Sequence, residues 1–249
     1  GKTLLIASGC NGKFLSRLDL DVQNRSVRGF RYSLIPILSD VIAPDPAIKK
    51  LVAGLRAPHE KEMARVLGRT ETTLYRRGNF NGTFDDLILD AIMKERNTQI
   101  GLSPGFRWGP SLIPGQDITV EDVFSQTAIS YPSVYRSEFT GKMLKDILED
   151  VADNLFNPDP YKQQGGDMVR VGGMSYRIDV NKPIGKRLSD MRLIGTGELI
   201  DASKTYPVAG WASVNPEVEG PPVYDVVSRH IAHEKVMRVP PNRHVKIVP

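Results

Sequence analysis

The sequence predicts an α+β protein of layered helices and mixed sheets. Three features of the chain lead there. Single helices are interspersed with pairs of strands, without the regular strand–helix alternation of a doubly wound sheet. The helical stretches carry apolar residues at three-to-four spacing, and the strand stretches alternate. The chain has 249 residues, enough for one large domain or for one domain with part of another.

Residues 1–38 read as three strands. Thr3 to Ser8 is a short apolar run. In Phe14 to Val22, Leu18, Leu20 and Val22 face one way and Arg17, Asp19 and Asp21 the other. Gln23-Asn24-Arg25-Ser26 is turn-like, and Val27 to Leu38 returns as the second arm of a hairpin. Its apolar face needs a cover. Residues 39–45 read as a linker, closed by Pro44-Asp45-Pro46. A helix follows with Ile48, Leu51, Val52 and Leu55 on one face, broken at Pro58. Glu60 to Leu67 resumes the helix and stops at Gly68, and Thr70 to Tyr75 reads as a strand. Thr83 to Arg96 is helical, with Leu87, Ile88, Ala91 and Ile92 inward, and Gln99 to Ser103 is a short strand. Thr119 caps a helix whose first turn holds Glu121 and Asp122. The strongest helix starts at Thr140 and runs an apolar stripe through Leu144, Ile147, Leu148, Val151 and Leu155 to Asn157-Pro158. Met168 to Asp179, Met191 to Ile194 and Tyr206 to Trp211 read as strands, and Pro222 opens the last helix, to Glu234.

Composition excludes several classes of function. Hydrophobic residues make up 40% and charged residues 25%, which suits a packed globular domain. No apolar run is long enough to span a bilayer, so no membrane partner is expected. The net charge of +4 is spread along the chain without a basic block, so no nucleic-acid partner is expected either. Cys10 is the single cysteine, which excludes an internal disulfide and a cysteine-based zinc site. The opening without Met is expected of a processed or shortened chain.

The most informative stretch is Ser103-Pro104-Gly105-Phe106-Arg107-Trp108-Gly109-Pro110. Glycines and prolines stiffen it, and Arg107 stands between two aromatics. A guanidinium so presented suits a bidentate grip on a sulfonate, phosphate or carboxylate. The same pattern also describes a surface turn with Arg packed on Trp. Arg76-Arg77-Gly78-Asn79-Phe80-Asn81-Gly82 is a second basic, glycine-containing loop before a helix. It could offer backbone N–H groups to an anion, or it could simply be a solvated loop that caps the helix. His230 and His233 lie three apart on one helix, but no third ligand follows at a zinc-protease spacing, and a solvated face explains them. Asp85-Asp86 sit in a first helical turn, where acids complement the dipole.

Several strings resemble a known family. Gly12-Lys13-Phe14-Leu15-Ser16-Arg17-Leu18-Asp19-Leu20-Asp21-Val22 resembles the closing hairpin of the metallophosphoesterase domain in the 5′-nucleotidase family. Gly105-Phe106-Arg107-Trp108-Gly109 stands where nucleotidases have a Gly-Gly-Ile-Arg loop. Asp117-Ile118-Thr119, Thr140 to Leu144, Val171 to Tyr176 and Ala202 to Ala209 match later landmarks in order. Departures set the subfamily. Glu219-Gly220-Pro221-Pro222 replaces a Gly-Gly-Asp-Gly string, and the nucleotide-clamping arginine pair is not reproduced. Phe106 to Gly109, Gly172-Gly173-Met174 and Val208 to Val214 look instead like the SoxB-type thiosulfohydrolases.

That resemblance implies a 5′-nucleotidase C-terminal-domain-like layered sandwich of helices and mixed sheets over residues 46–249, with residues 1–38 the terminal hairpin of the catalytic domain and 39–45 the linker. It implies a periplasmic enzyme that hydrolyses a cysteine-bound thiosulfonate on a SoxYZ-type carrier protein and releases sulfate. Two manganese ions and the catalytic His belong, in that family, to its own N-terminal catalytic domain, upstream of the hairpin. The residues here would form a substrate-facing lid, inactive alone, with no catalytic or metal-binding residue of its own. Arg107 would hold the sulfonate, and Trp108, Tyr131 and Trp211 would wall the cleft. The alternatives are the C-terminal domain of a nucleotide phosphohydrolase, or an anion- or carrier-binding module without catalysis.

Overall fold

The computed structural model describes residues 3–9, 12–106, 109–215 and 217–248. Contacts divide the chain into two units, residues 1–60 and 61–249, which places the helix after Pro46 with the hairpin.

The first unit is a hairpin and a helix. β1 (Phe14–Gln23) and β2 (Ser26–Pro36) pair antiparallel, with Gln23 opposite Ser26 and a bulge between Asp21 and Val22. Asn24 and Arg25 both take positive φ, 48° and 59°, which suits a two-residue turn to the strand twist. Thr3 to Ser8, expected as a strand, is not one. Strands exist by exchanging backbone hydrogen bonds, and the described residues pair nothing with this segment. α1 (Pro46–Arg56) starts where Asp45 accepts from the N–H groups of Ala47 and Ile48, at 2.9 and 3.0 Å. Ile48, Leu51, Val52 and Leu55 do share a face, and that face is exposed. No described residue of the first unit is buried.

The second unit holds the core. α2 (Glu60–Met63) ends after one turn and β3 (Val66–Thr70) follows. The expected helix to Leu67 and strand from Thr70 to Tyr75 are both displaced. The reason is tertiary: Val66 to Arg69 pairs with β5 (Asp117–Thr119), and Arg69-Thr70 with β11 (Val236–Met237). α3 (Thr83–Arg96) matches its expected bounds and ends in a left-handed Asn97, φ 48°. β4 (Ile100–Ser103) is buried at every position. α4 (Val120–Thr127) carries a capping box, Thr119 with Asp122. β6 (Tyr135–Thr140) leads into α5 (Gly141–Phe156), whose cap is Thr140, as expected. β7 (Arg170–Gly172) and β8 (Met174–Ile178) divide the single strand expected there, because Gly173 takes φ +69°. β9 (Leu188–Leu193), β10 (Thr205–Gly210), α6 (Val223–Glu234) and β12 (Val245–Ile247) complete the unit with β11.

The strands form a four-stranded sheet in the order β6-β10-β4-β7 and two three-stranded sheets, β11-β3-β5 and β12-β8-β9. Parallel and antiparallel pairs mix, so the α+β, layered class holds. α3 organises the packing. Phe84, Leu87, Ile88 and Ile92 join α4 and α6 in one apolar cluster, while α5 and the sheet strands build a second around Leu144, Leu148, Tyr176 and Val208. On its other side α3 lies close to β4 and β7. A Cβ on Gly101 would come 2.9 Å from Met93 Cγ, and one on Gly172 2.9 Å from Leu89 Cβ.

Candidate functional site

β4 ends at Ser103, and Pro104, without an N–H, turns the chain out of the sheet. The loop 103–110 starts there. Arg107 and Trp108 lie outside the described residues, so the geometry is that of the two stems. On the first stem, Trp211 Nε1 donates to Ser103 Oγ at 2.9 Å. Gly105 lies against backbone: a Cβ there would meet the carbonyl oxygens of Met168 and Asp167 at 2.6 and 2.7 Å. Phe106 sits edge-on to Trp211, with ring centroids 6.2 Å apart. On the second stem, Gly109 takes φ +83° and packs on the Gln126 side chain, whose Nε2 donates to the Pro110 carbonyl at 2.7 Å. Arg77 Nη2 donates to the Gly109 carbonyl at 3.2 Å.

Behind the stems is a buried ionic cluster. Arg76 donates from Nε to Asp85 Oδ1 at 2.6 Å, from Nη1 to the Gln126 carbonyl at 2.6 Å, and from Nη2 to the Pro104 carbonyl at 3.0 Å. Its guanidinium lies 5.9 Å from the ring centroids of both Phe106 and Trp211. Asp85 Oδ2 accepts the Gly82 N–H at 2.8 Å and faces Arg170 Nε at 3.4 Å. Arg170 Nη2 donates to the Gly78 carbonyl at 2.9 Å and to Asp167 Oδ2 at 3.3 Å. Burial pushes the Asp85 carboxyl up, and the two guanidiniums oppose that shift. Within the loop 76–82, Arg76 points inward because carboxylate and carbonyl partners await it there. The nearby sequence signal was Asp85, an acid early in a helix whose burial no local pattern reveals.

The other candidates are dispersed. Trp211, read from the sequence as a cleft wall, is 4% exposed and supports the loop from within the core. Tyr131 is 51% exposed in the segment between α4 and β6. Its neighbour Pro132 accepts the Val223 N–H at 2.8 Å, which lays the segment against the start of α6, near the stacked pair Phe124–Tyr224. Asp86 Oδ1 accepts from Asn81 at 2.7 Å and Asn242 at 2.9 Å, and lines a cleft of about 300 Å³ with Gly173, Pro241 and His244. Burial raises its carboxyl to about 6. Burial, then Lys94, lowers the His230 imidazole. Among the described residues no group of three or more His, Cys, Asp or Glu could hold a metal ion. No helix among these residues is long and apolar enough to cross a membrane.

The family model described as 5′-nucleotidase, C-terminal domain, matches residues 63–223. No curated protein sequence matches the chain. Among solved structures, a sulfate thiohydrolase SoxB from Thermus thermophilus, in complex with glycerol, is similar over 95% of this chain and 45% of its own, with 30% identity and a TM-score of 0.87. A 5′-nucleotidase precursor, also from Thermus thermophilus, is similar over 95% of this chain and 50% of its own, at 18% identity and TM-score 0.76. An NAD nucleotidase from Haemophilus influenzae is similar over 97% and 54%, at 14% identity and TM-score 0.59. The last two share the fold. The chain thus spans about half the length of the solved structures it resembles.

Proposed function

Because the chain belongs to the 5′-nucleotidase family through its C-terminal domain, we propose that it is the substrate-recognising part of a SoxB-type sulfohydrolase. The supporting observation is the likeness to a sulfate thiohydrolase over 95% of this chain, at 30% identity, where the nucleotidases stand at 18% or below. The substrate is a cysteine-bound thiosulfonate on a SoxYZ-type carrier in the periplasm, and the product is sulfate. Two manganese ions would activate the attacking water in that enzyme, and they would be held by its N-terminal catalytic domain.

The role of this chain is to present the loop 103–110 to the sulfonate. Arg107 makes the charge-assisted contact, and Trp108 and Tyr131 flank the carrier arm. Trp211 contributes through Ser103 and Phe106. A nucleotide phosphohydrolase is the second reading, supported by the family description itself.

The deciding assay uses the complete enzyme on thiosulfonated carrier and on nucleoside monophosphates. Sulfate release without phosphate release is expected, and the reverse result removes the sulfohydrolase assignment. A charge-assisted bond is worth roughly 1.5–3 kcal/mol. Arg107→Ala should therefore lower kcat/KM about ten- to a hundred-fold without changing Tm. Arg107→Lys should recover only part, since an ammonium lacks the two-pronged grip. A lower Tm with near-normal kinetics would make Arg107 a packing residue.

A further inference from the structure

We propose that Arg76 is a positioning residue for the loop 103–110, acting through both of its stems. The proposal deepens the reading of that loop as the sulfonate-recognising element and rests on it. Arg76 is buried, at 2% exposed. A guanidinium in the core is costly unless paired, and a well-packed apolar residue of similar volume would often serve stability as well. What the charge adds here is a set of directed bonds, and those bonds converge on one loop.

Three routes run from the cluster to the loop. The first is direct: Nη2 holds the Pro104 carbonyl, where the chain leaves β4. The second passes through Gln126. Nη1 holds its backbone carbonyl at 2.6 Å, and its side chain holds the Pro110 carbonyl at 2.7 Å. The third passes through Asp85 and Arg170 to Asp167, whose carbonyl, with that of Met168, forms the surface on which Gly105 rests. Phe106 and Trp211 also lie near the same guanidinium. Lysine can satisfy Asp85, but its single ammonium cannot reproduce a fork aimed at a carboxylate and two carbonyls. A binding arginine gains from stems fixed before the ligand arrives, because less ordering is left for the binding step.

The test is hydrogen exchange on the full 249-residue chain, resolved by peptide, for wild type, Arg76→Lys and Gln126→Ala. Positioning predicts that amides of residues 103–112 exchange at least tenfold faster in Arg76→Lys, while those of α3 and β10 stay within twofold. Gln126→Ala should accelerate residues 109–112 and leave 103–106 unchanged. A merely structural role predicts that loop and core amides accelerate by the same factor. That outcome, or an unchanged loop in Arg76→Lys, overturns the proposal. Should Arg76→Lys fail to fold, Gln126→Ala decides alone, and an unchanged 109–112 overturns it. Titration with S-sulfocysteine separates this from the functional reading. If Arg107→Ala leaves S-sulfocysteine affinity unchanged while Arg76→Lys opens the loop, positioning stands and the sulfonate reading fails. If Arg107→Ala weakens affinity about tenfold and Arg76→Lys does not open the loop, the sulfonate reading stands and positioning fails.

Discussion

Asp85 and Asp86 are adjacent acids with different fates. Asp85 faces two guanidiniums and a backbone N–H, whereas among the described residues Asp86 is met by the amides of Asn81 and Asn242. The Asn81 side-chain amide also donates to the Val171 carbonyl and accepts its N–H, so Asp86 helps join α3, β7 and the segment before β12. Burial, with Asp85 and Asp90 adding repulsion, raises Asp86 from an ordinary 3.8 to about 6. The folded state therefore holds this proton more tightly than the unfolded chain. The stability that follows is fully present below about pH 4 and is lost as pH rises through about 6, on the order of 3 kcal/mol in all. Asp86→Asn keeps an acceptor for both amides without the charge. Urea midpoints measured from pH 4 to 7 should lose this part of their slope in Asp86→Asn, and the variant should match or exceed wild type at pH 7. An unchanged slope would mean that Asp86 ionises normally. Little of this was legible in the sequence. Two acids in a first turn predicted a dipole contact, and only tertiary packing distinguishes the acid paired with arginines from the acid left with amides. Arg107 differs in kind: it lies outside the described residues, and its reading as an anion contact rests on the local pattern of prolines and glycines alone.

Elements that carry their own boundary chemistry were legible. α3 ends at a left-handed Asn97, and α4 and α5 begin at Thr119 and Thr140, where the side chain accepts an N–H three residues on. Short strands were not. Val66–Thr70 looks helical beside Glu60–Met63, and becomes a strand because β5 and β11 flank it. Tyr135–Thr140 does alternate, yet its six residues earn strand geometry by pairing with β10 along the whole length. The join of β6 to α5 is tight. A Cβ on Gly141 would come 2.2 Å from the Asp201 carbonyl oxygen, where the turn before β10 crosses the helix start. Gly141→Ala must push backbone against backbone, and overpacking of that kind costs about 1–3 kcal/mol. Gly195 is the control, because a methyl group added there would meet no atom within 4 Å. Thermal melts should show Gly141→Ala several degrees below wild type and Gly195→Ala near it. Equal melting temperatures would show that the Asp201 turn yields freely.

At the scale of the molecule the two units differ in what holds them. Residues 61–249 contain both apolar clusters and the buried ionic network. Residues 3–60 place no described side chain in the buried class, although Leu20, Val22, Phe30, Leu51 and Leu55 are all apolar. A two-stranded hairpin without a covered face is marginal in water, and α1 has only eleven residues, short for a helix without packing. Opening of this unit should therefore take little free energy, whereas amides of α3 should open only with global unfolding. Trypsin has sites at Arg17, Arg25, Arg31, Lys49 and Arg56 in the first unit. Brief digestion should leave a resistant product that starts between Ala57 and Val66. Calorimetry should agree: at about 0.7 kcal/mol per residue, cooperative melting of residues 61–249 alone absorbs about 130 kcal/mol, against about 170 kcal/mol for the whole chain. A hairpin that resists trypsin, with an enthalpy near the larger value, would show that residues 1–60 melt as part of one cooperative body.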